Sequence, residues 1–215
     1  MTKPILEEIS AAMQKGNRKL VQELANSALA EGLSASEILQ DGLMAAMNVV
    51  GAKFKANEVF VPEVLIASRA MAAGIEVLKP GLASDSSEQV GTIVLGTVKG
   101  DLHDIGKNLV KIMMAGKGID VVDIGVDVAP AKFIEAAKEH KAALIACSAL
   151  LTTTMGQMQD IVDLRKADPE LDPRVKVIIG GAPVTEQFRE KIGADLYAED
   201  AATAAEVALA NMFTY

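Results

Sequence analysis

The sequence predicts two folds in series: an all-α N-terminal half, then an α/β half built as a doubly wound parallel sheet. Three observations carry this. Residues 1–82 show a helical hydrophobic pattern throughout. Residues 90–215 alternate short aliphatic runs with helical patterns five times. Between them Ala83-Ser-Asp-Ser-Ser-Glu-Gln89 is polar and aperiodic, which predicts a linker at 83–89.

The first helix is predicted over Lys3–Lys15, from the stripe Ile5, Leu6, Ile9, Ala12 and Met13. Gly16-Asn17 breaks it, and Asn17 can cap a second helix reaching Ala30 before Gly32 stops it. Ser34-Ala-Ser-Glu37 has capping-box spacing: the Ser oxygen and the Glu carboxylate each satisfy an orphan backbone N–H. A third helix follows, with Leu39, Leu43, Met47, Val50 and Phe54 on one face. A fourth runs from Pro62 to Leu78, with Pro80-Gly81 as its stop. Four amphipathic helices with short connections predict a four-helix bundle.

In the second half, strands are predicted at Thr92–Val98, Val121–Ile124, Leu144–Ser148, Val175–Ile179 and Asp195–Tyr197. The helices between and after them are Ile105–Ala115, Pro130–His140, Met155–Ala167, Thr185–Ile192 and Ala201–Met212. Five β–α repeats of this size predict a five-stranded parallel sheet in the flavodoxin-like order. Such sheets take ligands at the carboxyl ends of their strands, where the strand order reverses.

Composition narrows the function classes. Lys plus Arg number 21 against 29 Asp plus Glu, a formal net charge of −8. That argues against nucleic acid and against a basic membrane-surface patch. Cys147 is the single cysteine and His103 and His140 the only histidines, so a disulfide, a cysteine-rich zinc site and a multi-histidine metal site are excluded. The N-terminus MTKPILEEIS has acids where an export signal would be apolar, and the longest apolar runs fall well short of a membrane span. The expected location is cytoplasmic. Aromatics make up 3% of residues, so base-stacking platforms are not expected.

The chemistry-bearing residues gather at strand exits. The first strand leaves through Gly100-Asp101-Leu102-His103-Asp104-Ile105-Gly106. Two readings of this loop stand side by side. In one, Asp101 or Asp104 caps the next helix and His103 is a solvated loop residue. In the other, a single imidazole is presented to a ligand while Asp101 fixes its tautomer. One histidine cannot hold a bare metal ion, but it can complete the coordination of a metal already held by a macrocycle. The third strand exits through Ser148-Ala149-Leu150-Leu151-Thr152-Thr153-Thr154, the fourth through Gly180-Gly181, the fifth through Tyr197-Ala-Glu-Asp-Ala201. Small and hydroxylated residues there suit close approach of a ligand to backbone. Elsewhere, Cys147 reads as an inert buried thiol, His140 as a surface histidine at a helix end, and the methionines as core fillers. Asp120, Asp123 and Asp127 flank the second strand without a metal-loop pattern and read as solvated or capping residues.

Asp101-x-His103-x-x-Gly106, Ser148-x-Leu150 and Gly180-Gly181, in order at three strand exits, resemble the DxHxxG…SxL…GG signature of cobalamin-binding domains. Gly100–Asn108 is similar to the loop of methionine synthases and methyltransferase corrinoid proteins. In the first half, Phe60-Val-Pro62-Glu63 and Ser68-Arg69-Ala70-Met71 resemble the helical cap of those proteins. Cap plus corrinoid module, and nothing more, resembles the free-standing corrinoid subunits of one-carbon methyltransferase systems.

That resemblance implies a cobalamin or related corrinoid, alternating between Co(I) and methyl-Co(III) and bound base-off. It makes His103 the lower axial cobalt ligand, Asp101 the partner of its far nitrogen, and Thr154 the next relay member, where methionine synthases carry Ser. The relay would bring a proton to His103 when it leaves the metal. Gly100, Leu102, Asp104, Ile105 and Gly106 belong to the cofactor loop. Ser148 and Thr152 match contacts to the lower base or its tail, Leu150, Gly180 and Gly181 shape the slot, and Tyr197 and Ala201 lie at a tail-contacting position. Phe60 matches the residue shielding the methyl-bearing face, and Ala56 stands where methionine synthase has an acidic contact.

The implied function is a methyl carrier, itself turned over only with partner enzymes. A substrate:corrinoid methyltransferase loads it from a methylamine, methanol, a methoxylated aromatic or glycine betaine. A second methyltransferase unloads it to tetrahydrofolate or coenzyme M, and a reductive activase restores Co(I). The cap is expected to move on the linker to expose the cofactor to each partner. Two alternatives use the same loop. A cobalamin-dependent sensor needs a DNA-binding domain for which this chain has neither residues nor charge, and the small subunit of an adenosylcobalamin mutase usually lacks the cap. A flavodoxin-like domain for another nucleotide is a third, without a flavin-type phosphate loop.

Overall fold

The computed structural model describes residues 3–84 and 91–212. Two compact units divide the chain: one falls within Met1–Gln89 with Gly116–Gly118, the other within Val90–Ala115 and Ile119–Tyr215.

In the first unit, α1 (Pro4–Gln14) starts with Pro at its first position, where a missing N–H costs nothing. α2 (Arg18–Ala30) is capped by Asn17, whose Oδ1 accepts from Leu20 N–H. Ser34 caps α3 (Ala35–Glu37) by accepting from Glu37 N–H at 3.1 Å. The predicted third helix is not uniform. α3 passes into a π-helical stretch, Ile38–Met44, before α4 (Ala45–Lys55). There Gly42 faces Ile9 so closely that an added Cβ would lie 3.3 Å from its Cγ2. The wider turn still brings Ile38, Leu39, Leu43 and Met44 inward.

α5 (Val61–Ser84) corrects the predicted stop at Pro80-Gly81: the helix runs through both. Gly81 serves close packing, since a Cβ there would lie 2.8 Å from that of Ala35. Ala83 and Ser84 of the predicted linker are therefore helical, and residues 85–89 lie outside the described residues.

In the second unit, parallel strands stand in the order β2-β1-β3-β4-β5. They are β1 (Thr92–Val98), β2 (Asp120–Val128), β3 (Leu144–Ser148), β4 (Lys176–Gly180) and β5 (Leu196–Ala198). This is the predicted doubly wound order, with its reversal between β1 and β3. The helices are α6 (Ile105–Ala115), α7 (Pro130–Glu139), α8 (Gly156–Ala167), α9 (Glu186–Ile192) and α10 (Ala201–Asn211). β2 is longer than predicted. It keeps pairing with β1 through two register shifts, one absorbing Ile124 before the Gly96–Gly125 pair and one falling between Gly125 and Val128.

Burial of β1 and β3 on both faces explains their continuous aliphatic runs. Phe133 and Val94 belong to the core on one face. Cys147 lies in the same core, 3% exposed, and burial pushes its thiol above the ordinary range. Lys107, 3% exposed, forms an ion pair with Asp123 at 2.6 Å, joined by Lys111 at 3.2 Å. Asp123 is thus an ion-pair partner that also accepts Gly125 N–H at 3.0 Å, rather than a solvated carboxylate. Burial works against its charge, but the Lys107 hydrogen bond, Gly125 N–H and Lys111 hold its carboxyl below the usual value.

Candidate functional site

The site forms where β1 and β3 part. β1 exits through a tight turn closed by Asp101 N–H donating to Val98 O at 3.1 Å, with Gly100 left-handed (φ +81°). The turn carries Asp101 beneath the start of β3's exit, where it is fully buried.

Five groups can donate to this one carboxylate. Oδ1 takes His103 N–H (3.0 Å) and His103 Nδ1 (2.7 Å). Oδ2 takes Leu150 N–H (2.7 Å), Leu151 N–H (3.2 Å) and the Thr154 hydroxyl (3.1 Å). Thr154 Oγ1 also lies 2.9 Å from Leu151 O, so its one proton has two acceptors to choose between. Burial pushes Asp101 toward its neutral form, but the donors from Leu150, His103 and Leu151 outweigh it and hold the carboxyl well below the usual range.

An ionised carboxylate only accepts, so Nδ1 must carry the imidazole proton. In the neutral imidazole Nε2 then keeps its lone pair. The His103 side chain is 51% exposed, so this nitrogen is available to a ligand. Exposed apolar side chains flank it: Leu102 (72%), Ile105 (78%), Leu150 and Leu151. Four such residues on two adjoining loops mark a binding surface. Beside them, Gly106 sits in the first turn of α6, where an added Cβ would meet nothing within 4 Å.

At β4's exit Gly181 is structurally required and Gly180 is tightly packed. A Cβ on Gly181 (φ +131°) would lie 1.9 Å from Ala149 O, and one on Gly180 would lie 3.0 Å from Ala198 O. Their missing side chains let the three strand exits lie flush, and both residues stay half-buried.

The structure thus brings Gly100, Asp101, Leu102, His103, Asp104, Ile105, Gly106, Leu150 and Thr154 together at two linked loops. Ser148 stands opposite Thr97 and Gly180 in the sheet register and is half-buried. Thr152 is exposed. Tyr197 packs against the sheet core, and Ala201 opens α10 behind the Asp200 cap. Phe60 belongs to the helical unit, 62% exposed, its N–H bonded to Glu63 Oε2 at 3.0 Å.

Of two further residues in this region, Thr97 went unnoticed in the sequence and Asp127 was read only as a solvated or capping acid. Thr97, fully buried, donates its hydroxyl to His103 O at 2.9 Å. Asp127 accepts Gly100 N–H at 2.7 Å and donates its own N–H to Asp101 O at 2.9 Å. The signal for Asp127 was an acid at the strand's end, but not its partner in a loop 27 residues earlier.

The donor set limits what the site could hold. No group of three or more His, Cys, Asp or Glu suited to a metal ion occurs among the described residues. One imidazole nitrogen in an apolar surround fits a metal that brings its own equatorial donors. Comparison with known proteins agrees. The B12 binding domain model matches residues 91–208, and a second B12 binding domain model matches 5–79.

The chain belongs to the B12-binding family. Among relatives of this family, dimethylamine corrinoid protein 3 of Methanosarcina acetivorans is 43% identical over 200 residues, 93% of each chain. Trimethylamine corrinoid protein 2 of the same organism is 42% identical over 203 residues, again 93% of each. A solved cobalamin-binding protein from Desulfitobacterium hafniense DCB-2 superposes with TM-score 0.81 at 31% identity, covering 96% of this chain and 98% of that one. The methanol:cobalamin methyltransferase complex MtaBC from Methanosarcina barkeri also gives 0.81, at 29% identity over 98% of this chain and 80% of that one.

Proposed function

We propose that this B12-binding protein is the methyl-carrying corrinoid subunit of a methylamine methyltransferase system. One observation carries the reading: His103 Nε2 is the free nitrogen of an imidazole whose other nitrogen is locked to a buried, fully bonded carboxylate. Relatives named for dimethylamine and trimethylamine support the substrate class.

A corrinoid bound here supplies a cobalt that accepts and gives up a methyl group. The protein's part would be to hold the group through His103, with the cofactor's own lower base displaced. His103 would offer Nε2 to its metal, and Asp101 holds the imidazole in the tautomer that leaves Nε2 its lone pair. The Thr154 hydroxyl turns between Asp101 Oδ2 and Leu151 O as the charge on the Asp101–His103 pair changes. Leu102, Ile105, Leu150 and Leu151 exclude water under the ring. Ser148, Thr152, Gly180, Gly181, Tyr197 and Ala201 receive the nucleotide tail. The helical unit of α1–α5, which carries the exposed Phe60, serves as the cap module of such a carrier.

The partners are a methylamine:corrinoid methyltransferase, a second methyltransferase delivering to tetrahydrofolate or coenzyme M, and a reductive activase. No helix among the described residues is long and apolar enough to cross a membrane, and a cytoplasmic location fits this chemistry.

The test loads the purified chain with hydroxocobalamin under reducing conditions and records the visible spectrum. Wild type should take up cobalt and give a base-off, histidine-ligated form. His103→Ala should keep the fold and shift the spectrum toward water ligation. Absence of cobalt uptake by wild type overturns the reading. Methyl transfer from methanol but from no methylamine, with the respective methyltransferases added, overturns the substrate class.

A further inference from the structure

The free direction of His103 Nε2 depends on where the histidine backbone sits, and two residues outside the Asp101–His103–Thr154 set fix that backbone. Both peptide groups of His103 are held. Its N–H goes to Asp101 Oδ1, and its carbonyl accepts the Thr97 hydroxyl from inside β1. Thr97 is fully buried. A valine there would fill the same space but leave a carbonyl without its donor. The residues before the histidine are held from the other side. Asp127, on the edge strand β2, takes Gly100 N–H with its carboxylate and gives its own N–H to Asp101 O. One residue therefore grips the chain on both sides of the Gly100–Asp101 peptide.

Asp127 does this from a left-handed backbone (φ +54°), which is uncommon outside glycine. Such a conformation persists only where its surroundings over-determine it. Here it points the peptide N–H and the carboxylate at the same loop, from within the register shift between the Gly96–Gly125 and Val98–Val128 pairs.

We propose that Thr97 and Asp127 are positioning residues: by pinning the backbone on either side of Asp101 they aim the His103 imidazole before any ligand arrives. The inference rests on His103 being the ligating residue, but the backbone geometry stands without the corrinoid.

The experiment exploits the chain's two histidines. Histidine labelled with nitrogen-15 gives two imidazole signal sets, His103 and His140, and His140 lies at the end of α7 as an internal control. Spectra of the apoprotein are taken at alkaline pH, where imidazoles are neutral. Wild type should show His103 as the Nδ1–H tautomer. Thr97→Val and Asp127→Gly each remove one hydrogen bond, and Asp127→Gly keeps the left-handed backbone available. Each should lower the Nδ1–H to Nε2–H ratio about tenfold, the scale of one lost hydrogen bond. Thr97→Ser and Asp127→Asn keep the hydroxyl and the amide oxygen and should stay within about twofold of wild type.

In cobalamin-loaded protein the histidine-ligated fraction should fall in the same order, with total bound cobalamin unchanged. A wild-type tautomer ratio in both Thr97→Val and Asp127→Gly, with His140 in its native position, overturns the proposal. Should Thr97→Val fail to fold, Asp127→Gly decides by itself. Failure of wild type to bind cobalamin would overturn the corrinoid reading, while the tautomer series would still decide the positioning claim.

Discussion

Asp101→Asn is the sharpest perturbation of the loop, because it preserves shape and removes only charge and symmetry. Asp101 presents two acceptor oxygens, each facing fixed backbone donors: His103 N–H on one side, Leu150 and Leu151 N–H on the other. An asparagine has one acceptor oxygen. Facing it toward the two leucine amides turns its NH2 toward His103 N–H, leaving a part-buried donor unpaired at about 1–3 kcal/mol. The remaining bonds lose their charge assistance, about 1 kcal/mol more. The sum is about 2–4 kcal/mol, and at roughly 3 °C per kcal/mol it lowers the melting midpoint by about 10 °C. The same NH2 now donates to His103 Nδ1, so the imidazole proton moves to Nε2 and the ligating lone pair is lost with His103 still in place. Urea unfolding followed by far-ultraviolet circular dichroism gives the first number, and the spectrum of the cobalamin-loaded protein gives the second. A stability loss under about 0.5 kcal/mol, the range of surface substitutions, together with intact histidine ligation would refute the account of Asp101.

Gly106→Ala adds a methyl where the structure has open space in the first turn of α6. It should stabilise the fold by about 0.5–1 kcal/mol yet weaken cobalamin binding at least about tenfold; equal affinity in a binding titration would place the ring elsewhere. Gly181→Ala meets both a left-handed backbone and Ala149 O at 1.9 Å; it should cost at least about 3 kcal/mol in urea unfolding, and a neutral result would contradict the strand-exit packing. The carboxyls of Asp101 and Asp123 are both held below their unfolded value of about 3.9. Their contribution is therefore fully present above that value and lost as pH falls below it. Urea midpoints should decline on acidification below about pH 4, less steeply in Asp101→Asn; identical slopes would remove Asp101 from the acid transition.

Local order was legible where the pattern was strict. β1, β3 and α6 lie where the aliphatic runs and the helical stripe place them, because strands buried on both faces leave little room for shifted ends. Pro80-Gly81 misled, since a glycine that marks a stop also permits close approach, and here Ala35 makes that use. The π-helical turn at Ile38–Met44 was invisible because its apolar residues also satisfy an ordinary helical period. The site divides the same way. Asp101 and His103 are two residues apart, and their bond could be read from the loop. The bond from Thr154 to Asp101 spans 53 positions and was reached only through resemblance. Thr97 and Asp127 belong to strands, where a threonine and an acid carry no mark of their distant partners.

A protein that ferries methyl groups must not become their terminal acceptor. Thiolates are the side chains most prone to that side reaction, and the chain's single sulfhydryl stays protonated in strand β3, buried in the core on one face of the sheet. Repeated turnover should leave Cys147 unalkylated, and thiol reductants have no disulfide here to attack.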